Sequence, residues 1–295
     1  MIDNQYVKDE TLYVLGTDMD GSLKYFKDAQ AIIFSIILEV DRVCRKNNIP
    51  YALAFGSALG LYNYQGFIPW DDDADLAIDF FDVERLKEAF DKDLSGEFEY
   101  VCYEKDPRYN VLIPTFKVKK KVGYLQDCNY KTLPDHTKSY EGFFIDIVAF
   151  VGMKNARAHR RMLRKSFNRM CRYFISDYFF HHDPLKLKAK MKKQEKEKAL
   201  LYKDEPYVCQ SPIIPFQKQS INLYPREVIF PFKEYVFNGH KLYSFNNVEE
   251  FCRLRYGEKG LKQFDGEKYV DNFPKEQRAS LHIKKFHIPN EEEHE

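Results

Sequence analysis

Residues 66–78 read GFIPWDDDADLAI. Four aspartates, Asp71, Asp72, Asp73 and Asp75, fall within five positions directly ahead of an apolar run. Two unit charges about 4 Å apart repel by roughly 1 kcal/mol in water and about 4 kcal/mol at an effective dielectric of 20. Such a cluster needs either full solvent exposure, as a plain acidic turn, or a counter-charge. Three features favour the counter-charge. On a strand, Asp73 and Asp75 point to one face and can share a divalent cation. Asp71 is in phase with them and reads as a further ligand, whereas Asp72 faces away and reads as a solvated or capping residue. Mg²⁺ or Mn²⁺ suits hard oxygen ligands and leaves positions for phosphate oxygens. Upstream, Gly56-Ser57 forms a strand-to-helix turn whose backbone N–H groups can hold a phosphate. Downstream, Asp146 is the lone carboxylate of GFFIDIVAF, residues 142–150. A buried carboxylate is costly alone, so it pairs with a core Arg or Tyr, or joins the cation of Asp73 and Asp75. Together these residues outline metal-assisted transfer of a phosphorylated group, with the third carboxylate taking the acceptor's proton.

The elements around them must hold that geometry. Residues 27–48 carry apolar side chains at helical spacing and end at Asn47-Asn48, before Ile49-Pro50. YALAF (51–55) reads as a buried strand, followed by a short helix through Leu59 and Leu61. DADLAI (73–78) is the next strand, and residues 82–93 form a helix with Asp82 at its N-cap. Segments 98–104, 111–121 and 142–150 add strands. The fold class is therefore α/β (α+β), a nucleotidyltransferase-like mixed sheet flanked by helices, with a mainly helical C-terminal portion. Residues 1–152 form the core and 153–205 a basic helical segment. Residues 206–290 form a C-terminal portion completing the site, and 291–295 a disordered tail.

Composition narrows the function classes. The formal charge of +1 over 295 residues gives no whole-molecule field for nucleic acid, and no nucleic-acid partner is expected. Charge is uneven, however: residues 154–203 hold 16 Lys/Arg against four Asp/Glu. That stretch is either a solvated helical face or a means of approaching an anionic membrane surface. No apolar run reaches the roughly 18 residues of a membrane span. The polar N-terminus is unlike a signal peptide. Six scattered cysteines without CxxC pairs read as reduced thiols of a cytoplasmic protein. The eight histidines show no ligand spacing.

The block IPYALAFGSALGLYNYQGFIPWDDDADLAI (49–78) resembles the signature of the LicD family of phosphocholine transferases, whose distant relatives include fukutin and the fukutin-related protein. TFKV (115–118) is similar to the family's lysine-bearing strand and nominates Lys117. FFIDIVAF (143–150) is similar to the strand that carries Asp146. RYGEKG (255–260) and FPKEQRASLH (273–282) resemble its C-terminal element, with Glu258 where the family shows Asp. The resemblance implies a metal-dependent phosphotransferase using Mg²⁺ (or Mn²⁺). It implies a CDP-linked donor of the CDP-choline type and a glycan acceptor, lipid-linked in some settings, reached from the inner face of the membrane. In that reading Asp71, Asp73, Asp75 and Asp146 bind metal and Gly56 and Ser57 cradle the donor phosphates. Lys117 neutralises the diphosphate, unless it is an exposed strand lysine. Trp70 stacks on the donor or anchors the packing beside the site. Asn63-Tyr64 replaces an Arg-His of many members, which removes a natural diphosphate clamp. Lys117 or a basic side chain from 154–203 is the expected substitute. A nucleotidyltransferase releasing pyrophosphate, and an inactive nucleotide- or glycan-binding scaffold, remain the alternatives.

Overall fold

The computed structural model describes residues 9–102, 104–106, 116–127, 142–165, 168, 184–211, 223–262 and 283–289. The tail 291–295, Cys128, Cys171, His136, His181-His182 and residues 273–282 lie outside them, as does the start of the strand expected over 111–121. A nine-stranded mixed sheet forms the centre. Its middle strands are β3 (Tyr51–Ala54), β4 (Asp75–Asp79) and β8 (Phe144–Met153). β4 pairs antiparallel with β3 and parallel with β8. β8 is long enough to take two partners on its other edge. Its first half pairs with β6 (Phe116–Lys120) and its second with β9 (Tyr207–Ser211). β5 (Phe98–Val101) extends β6, and β10 (Leu223–Pro225) extends β9. Beyond β3 lies the hairpin of β11 (Lys233–Phe237) and β12 (His240–Ser244). Its Asn238-Gly239 turn has positive φ at both residues, the backbone a two-residue hairpin demands.

Helix α1 (Phe26–Lys46) buries Ile33, Ile36, Ile37, Val40, Val43 and Cys44, the stripe that the sequence spacing marks. α2 (Phe55–Tyr64) leaves β3 at once, and α3 (Val83–Asp93) follows β4. The basic segment holds α4 (Pro184–Leu201), and the C-terminal portion holds α5 (Arg226–Ile229) and α6 (Val248–Lys262). The helical reading of this portion needs an addition. β9 to β12 come from it and complete the central sheet, while β13 (Ile283–His287) pairs with β7 (Tyr124–Asp127) in a small separate sheet. These strands are short and broken by Pro and Gly, so their alternation is brief. β1 (Val14–Thr17) and β2 (Leu23–Tyr25) form a further small sheet.

The high aromatic content is spent on packing. Phe55, Phe150, Tyr224, Phe245 and Phe251 form one cluster, with Phe245 and Phe251 centroids 4.3 Å apart. It welds the start of α2, β8 and β10 to α6, so the C-terminal helix is fixed against the middle of the sheet. Cys44, Cys102, Cys209 and Cys252 are buried thiols outside any disulfide.

Candidate functional site

β4 is only five residues long and starts at Asp75, so Asp71 and Asp73 precede the strand. Strand alternation therefore does not gather the aspartates; a turn does. The Asp71 N–H donates to the Ile68 carbonyl at 3.0 Å. Gln30 of α1 clamps the same turn, its Nε2 donating to the carbonyls of Ile68 (3.0 Å) and Asp71 (2.9 Å). One carboxylate oxygen each from Asp71, Asp72 and Asp73 then lies within 4.8 Å of the others. Asp72 corrects the sequence reading: it is buried and belongs to the cluster rather than to solvent.

Gly56 explains how close the cluster approaches the β3–α2 turn. A Cβ there would stand 3.0 Å from Asp71 Oδ2, so only glycine leaves that carboxylate its place without displacement. The preceding Phe55 holds φ at +45°, a costly backbone for an aromatic residue, kept by the packing of its ring. The Ser57 hydroxyl accepts the Asp75 N–H at 3.1 Å, tying the start of α2 to the start of β4.

Asp146 enters from the adjacent strand. In the parallel β4–β8 register it is the direct partner of Asp75, and in the β6–β8 register it faces Lys117. Lys117 Nζ reaches both carboxylate oxygens of Asp146, at 2.8 and 2.9 Å. It is buried, with its ammonium 3.4 Å from the Phe144 ring centroid. This overturns the alternative of an exposed strand lysine. It also answers what partners Asp146: a lysine, rather than the Arg or Tyr considered from sequence.

The electrostatics of the group are unbalanced. Burial, then the charges of Asp73, Asp72 and Asp75, pushes the Asp71 carboxyl well above its ordinary range. Burial, Asp73 and Asp146 push Asp75 up as well, while Lys117 and Arg255 oppose them. Sequence reading missed Arg255 as a neighbour of this group; it comes from α6, outside the 154–203 segment where a replacement cation was expected. The signal was there in the spacing. Arg255 follows buried Phe251 by four residues, on the same helical stripe, where an arginine calls for a reason.

Other expected residues fall as follows. Trp70 is half-buried against the core, 5.6 Å from the Tyr13 ring centroid, as a packing anchor beside the aspartates. Asn63 is buried, and burial raises the Tyr64 phenol, with Tyr13 adding to the shift. Neither side chain stands where a charged clamp would be solvated. Glu258 is exposed and bonds to Arg253 at 2.8 Å, outside the acidic group. A cavity of about 1040 Å³ at the far end of β4, beside Asp79, includes none of these residues.

The donor set fits a divalent cation. It consists of hard carboxylate oxygens, already drawn together, and burial with mutual repulsion pushes Asp71 and Asp75 upward. Asp71, Asp72 and Asp73 form the tight group, Asp75 adjoins it, and Asp146 is held beside Asp75 by Lys117.

Comparison with known proteins agrees with this geometry. Residues 48–151, from the end of α1 through most of β8, match the family described as LicD/FKTN/FKRP, nucleotidyltransferase domain. Over 282 residues the chain is 21% identical to the lipopolysaccharide cholinephosphotransferase LicD of Haemophilus influenzae, covering 89% of this chain and 97% of that protein. The aspartate turn, the glycine-serine turn and the Asp146 strand all lie inside the matched segment, so the residues of the candidate site fall where the chain is similar to that nucleotidyltransferase domain.

Proposed function

We propose that this protein is a metal-dependent phosphotransferase. It moves phosphocholine, or a related phospho-substituent, from a CDP-activated donor to a hydroxyl of a cell-surface glycan or its lipid-linked precursor. The observation that carries the reading is the meeting of Asp71, Asp72, Asp73 and Asp75 beside the Gly56-Ser57 turn, with Asp146 in direct register with Asp75. Asp71, Asp73 and Asp75 hold the cation, and Asp72 lies close enough to join them. A bound Mg²⁺ or Mn²⁺ supplies neutralisation of the charge on the phosphate oxygens.

The remaining steps belong to the chain. Gly56 and Ser57 offer backbone N–H groups and the Ser57 hydroxyl to the donor phosphates. The acceptor oxygen attacks the phosphorus that bears the choline. The bond from that phosphorus to the bridging oxygen breaks, and CMP departs with the electron pair. The acceptor's proton passes to Asp146, whose carboxylate Lys117 keeps in one orientation. The C-terminal portion completes the site by bringing Arg255 to it. Among the described residues no helix is long and apolar enough to cross a membrane. The lysine-rich segment containing α4 supplies the attraction to an anionic inner leaflet.

The test is calorimetric titration with CDP-choline, with and without Mn²⁺, on the wild type and a folded Asp73→Asn/Asp75→Asn variant. Product mass is then read with candidate glycans. Metal-dependent binding lost in the variant, with phosphocholine added to the acceptor, supports the reading. Addition of a nucleoside monophosphate would make it a nucleotidyltransferase, and no binding to any CDP compound would make it a scaffold.

A further inference from the structure

α4 sorts its charges by face. Lys192 and Lys198 turn to acids of the protein itself, Lys192 to Glu84 and Glu104 and Lys198 to the buried Glu195. On the other side Lys190, Lys193, Lys196, Glu197, Leu200 and Leu201 are all exposed. At 100° per residue they share one arc of about 140°, with no buried side chain inside it among the described residues. The three outward lysines bond to no carboxylate among the described residues. The helical residues 156–165 repeat the pattern. His159 and Met162 are buried, while Arg157, Arg161 and Arg164, one stripe at helical spacing, are exposed and equally unpaired among the described residues. Met162 and Ala199 of α4 join Val151, Met153 and Cys209 in one small core, so both helices rest on the same part of the sheet.

Two leucines close the outward stripe. Leu200 and Leu201, the last residues of α4, are 58% and 71% exposed. Lys203 follows, its ammonium 5.6 Å from the ring centroid of Phe81, itself exposed. Phe81 lies two residues past Asp79, at the end of β4 opposite Asp75. Leucines held in water are relieved only by an apolar phase, and lysines within two turns of them call for anions at its edge. A bilayer with anionic headgroups supplies both at that spacing. A nucleic acid or a soluble anionic polymer would engage the cations and leave the leucines wet.

We infer that the outward stripe of α4 is a membrane-insertion edge. Leu200 and Leu201 enter the acyl boundary of an anionic bilayer, while Lys190, Lys193 and Lys196 lie on its lipid phosphates and the arginine row of residues 156–165 adds to the attraction. Of the reading proposed above, this rests only on the approach to an anionic membrane; the donor chemistry stands or falls separately. The consequence is an orientation: the contact forms at the Asp79 end of β4, roughly 13 Å along the strand from Asp75, so the carboxylates are held off a surface of their own charge.

The experiment measures partition of the full-length protein onto vesicles of phosphatidylcholine alone and of phosphatidylcholine mixed with phosphatidylglycerol. Folding is checked by circular dichroism and thermal unfolding. Wild type should bind the mixed vesicles and leave the neutral ones. Lys190→Gln/Lys193→Gln/Lys196→Gln should bind about 100-fold more weakly at low salt. Leu200→Gln/Leu201→Gln should bind about 30-fold more weakly, and its deficit should persist in salt that screens the lysines. In Leu201→Trp, a brominated lipid should quench fluorescence beyond the wild-type background from Trp70, which reads insertion directly if a multiple variant unfolds. Mn²⁺-dependent binding of CDP-choline in solution should be the same in all of them. No binding of wild type to mixed vesicles, binding that the leucine variant retains in full, or no added quenching would overturn the insertion edge and leave the donor reading standing. Wild type that prefers a soluble polyanion to the mixed vesicles would make this face a polyanion surface instead. Wild type that binds vesicles but no cytidine diphosphate compound would overturn the donor reading alone.

Discussion

Asp18, Asp20 and His287 bring one ligand atom each within 4.8 Å of one another, and so do Asp71, Asp72 and Asp73. The resemblance ends with what surrounds them. Asp18 is buried and accepts the Ile288 N–H at 2.7 Å, while His287 Nδ1 lies 3.0 Å from its other oxygen. Hydrogen bonds from Ser22 hold Asp20 below the usual carboxylate range. That group is a clasp, joining the β1–β2 turn to β13 with its acceptors satisfied by protein donors. In the second group, neighbouring carboxylates and burial push Asp71 and Asp75 upward. Burial and neighbouring carboxylates outweigh the opposing cations there, the condition under which a bound cation adds most stability. Counting acidic residues cannot tell the two apart; the direction in which their surroundings push them can.

The largest predicted effect separates activity from stability. Asp75→Asn should lower CMP release from the donor on the order of 10³-fold, as expected when an electrostatic stabiliser of a transition state is lost. The same substitution should raise the thermal midpoint of the metal-free protein, because it removes a repelled charge. The pH dependence follows. The folded pKa of Asp75 is raised, so above about pH 4 the unfolded chain gives up its proton first and stability falls as pH rises. The wild-type midpoint minus that of Asp75→Asn should therefore become more negative with rising pH in EDTA, and flatten with Mn²⁺. A difference independent of both pH and metal would erase the contrast between the two groups.

Lys117 comes next. Lys117→Met leaves Asp146 half-buried beside Asp75 with its ammonium partner removed. A loss of about 2–3 kcal/mol of stability is expected, below the full cost of breaking a buried pair because Asp146 keeps some solvent contact. Turnover should fall as well, and Mn²⁺ should recover part of the stability by giving Asp146 another cation. Chemical denaturation with and without Mn²⁺ measures both. At the clasp the expectation reverses: Asp18→Ala strands the Ile288 N–H and should cost about 2 kcal/mol while turnover stays within about 3-fold of wild type.

How much of this was legible in the sequence differs between these regions for physical reasons. The aspartate turn, Gly56-Ser57 and Asp146 were readable because local patterning places them: an acidic run against an apolar one, a small-residue turn, a lone charge in a strand. α1 was readable because its apolar stripe repeats over 21 residues. The role of Asp72 was misread because strand alternation was assumed to begin at position 71, whereas the strand begins at Asp75 and the turn pinned by Gln30 decides the earlier side chains. The clasp was invisible because His287 is 269 residues from Asp18, and nothing local announces the contact. Arg255 lay between these cases. Its helix and its place on the apolar stripe were legible, but the partner across the fold, Phe55, was not.

Glu104 carries the comparison to its opposite limit and gives the smallest effect. Burial pushes this carboxyl up, yet Lys192 and Lys87 hydrogen-bond to it at 2.8 and 3.0 Å and bring it down to about 2. Here one acid has two cations, and no further cation is called for. Lys192 belongs to α4 and Lys87 to α3, so the contact is a tie between the basic segment and the core. The depressed pKa means that its stabilisation is present above the ordinary carboxylate range and is lost as pH falls toward about 2. The side chain is about a third exposed, so screening reduces the effect: Glu104→Gln should cost roughly 1 kcal/mol at neutral pH. That cost should shrink below about pH 4, where the wild type begins to lose the same interaction. Adding Mn²⁺ should change neither number. A metal-sensitive Glu104 would mean that the basic segment and the aspartate turn act as one electrostatic unit; an insensitive one confines the demand for a cation to Asp71–Asp75.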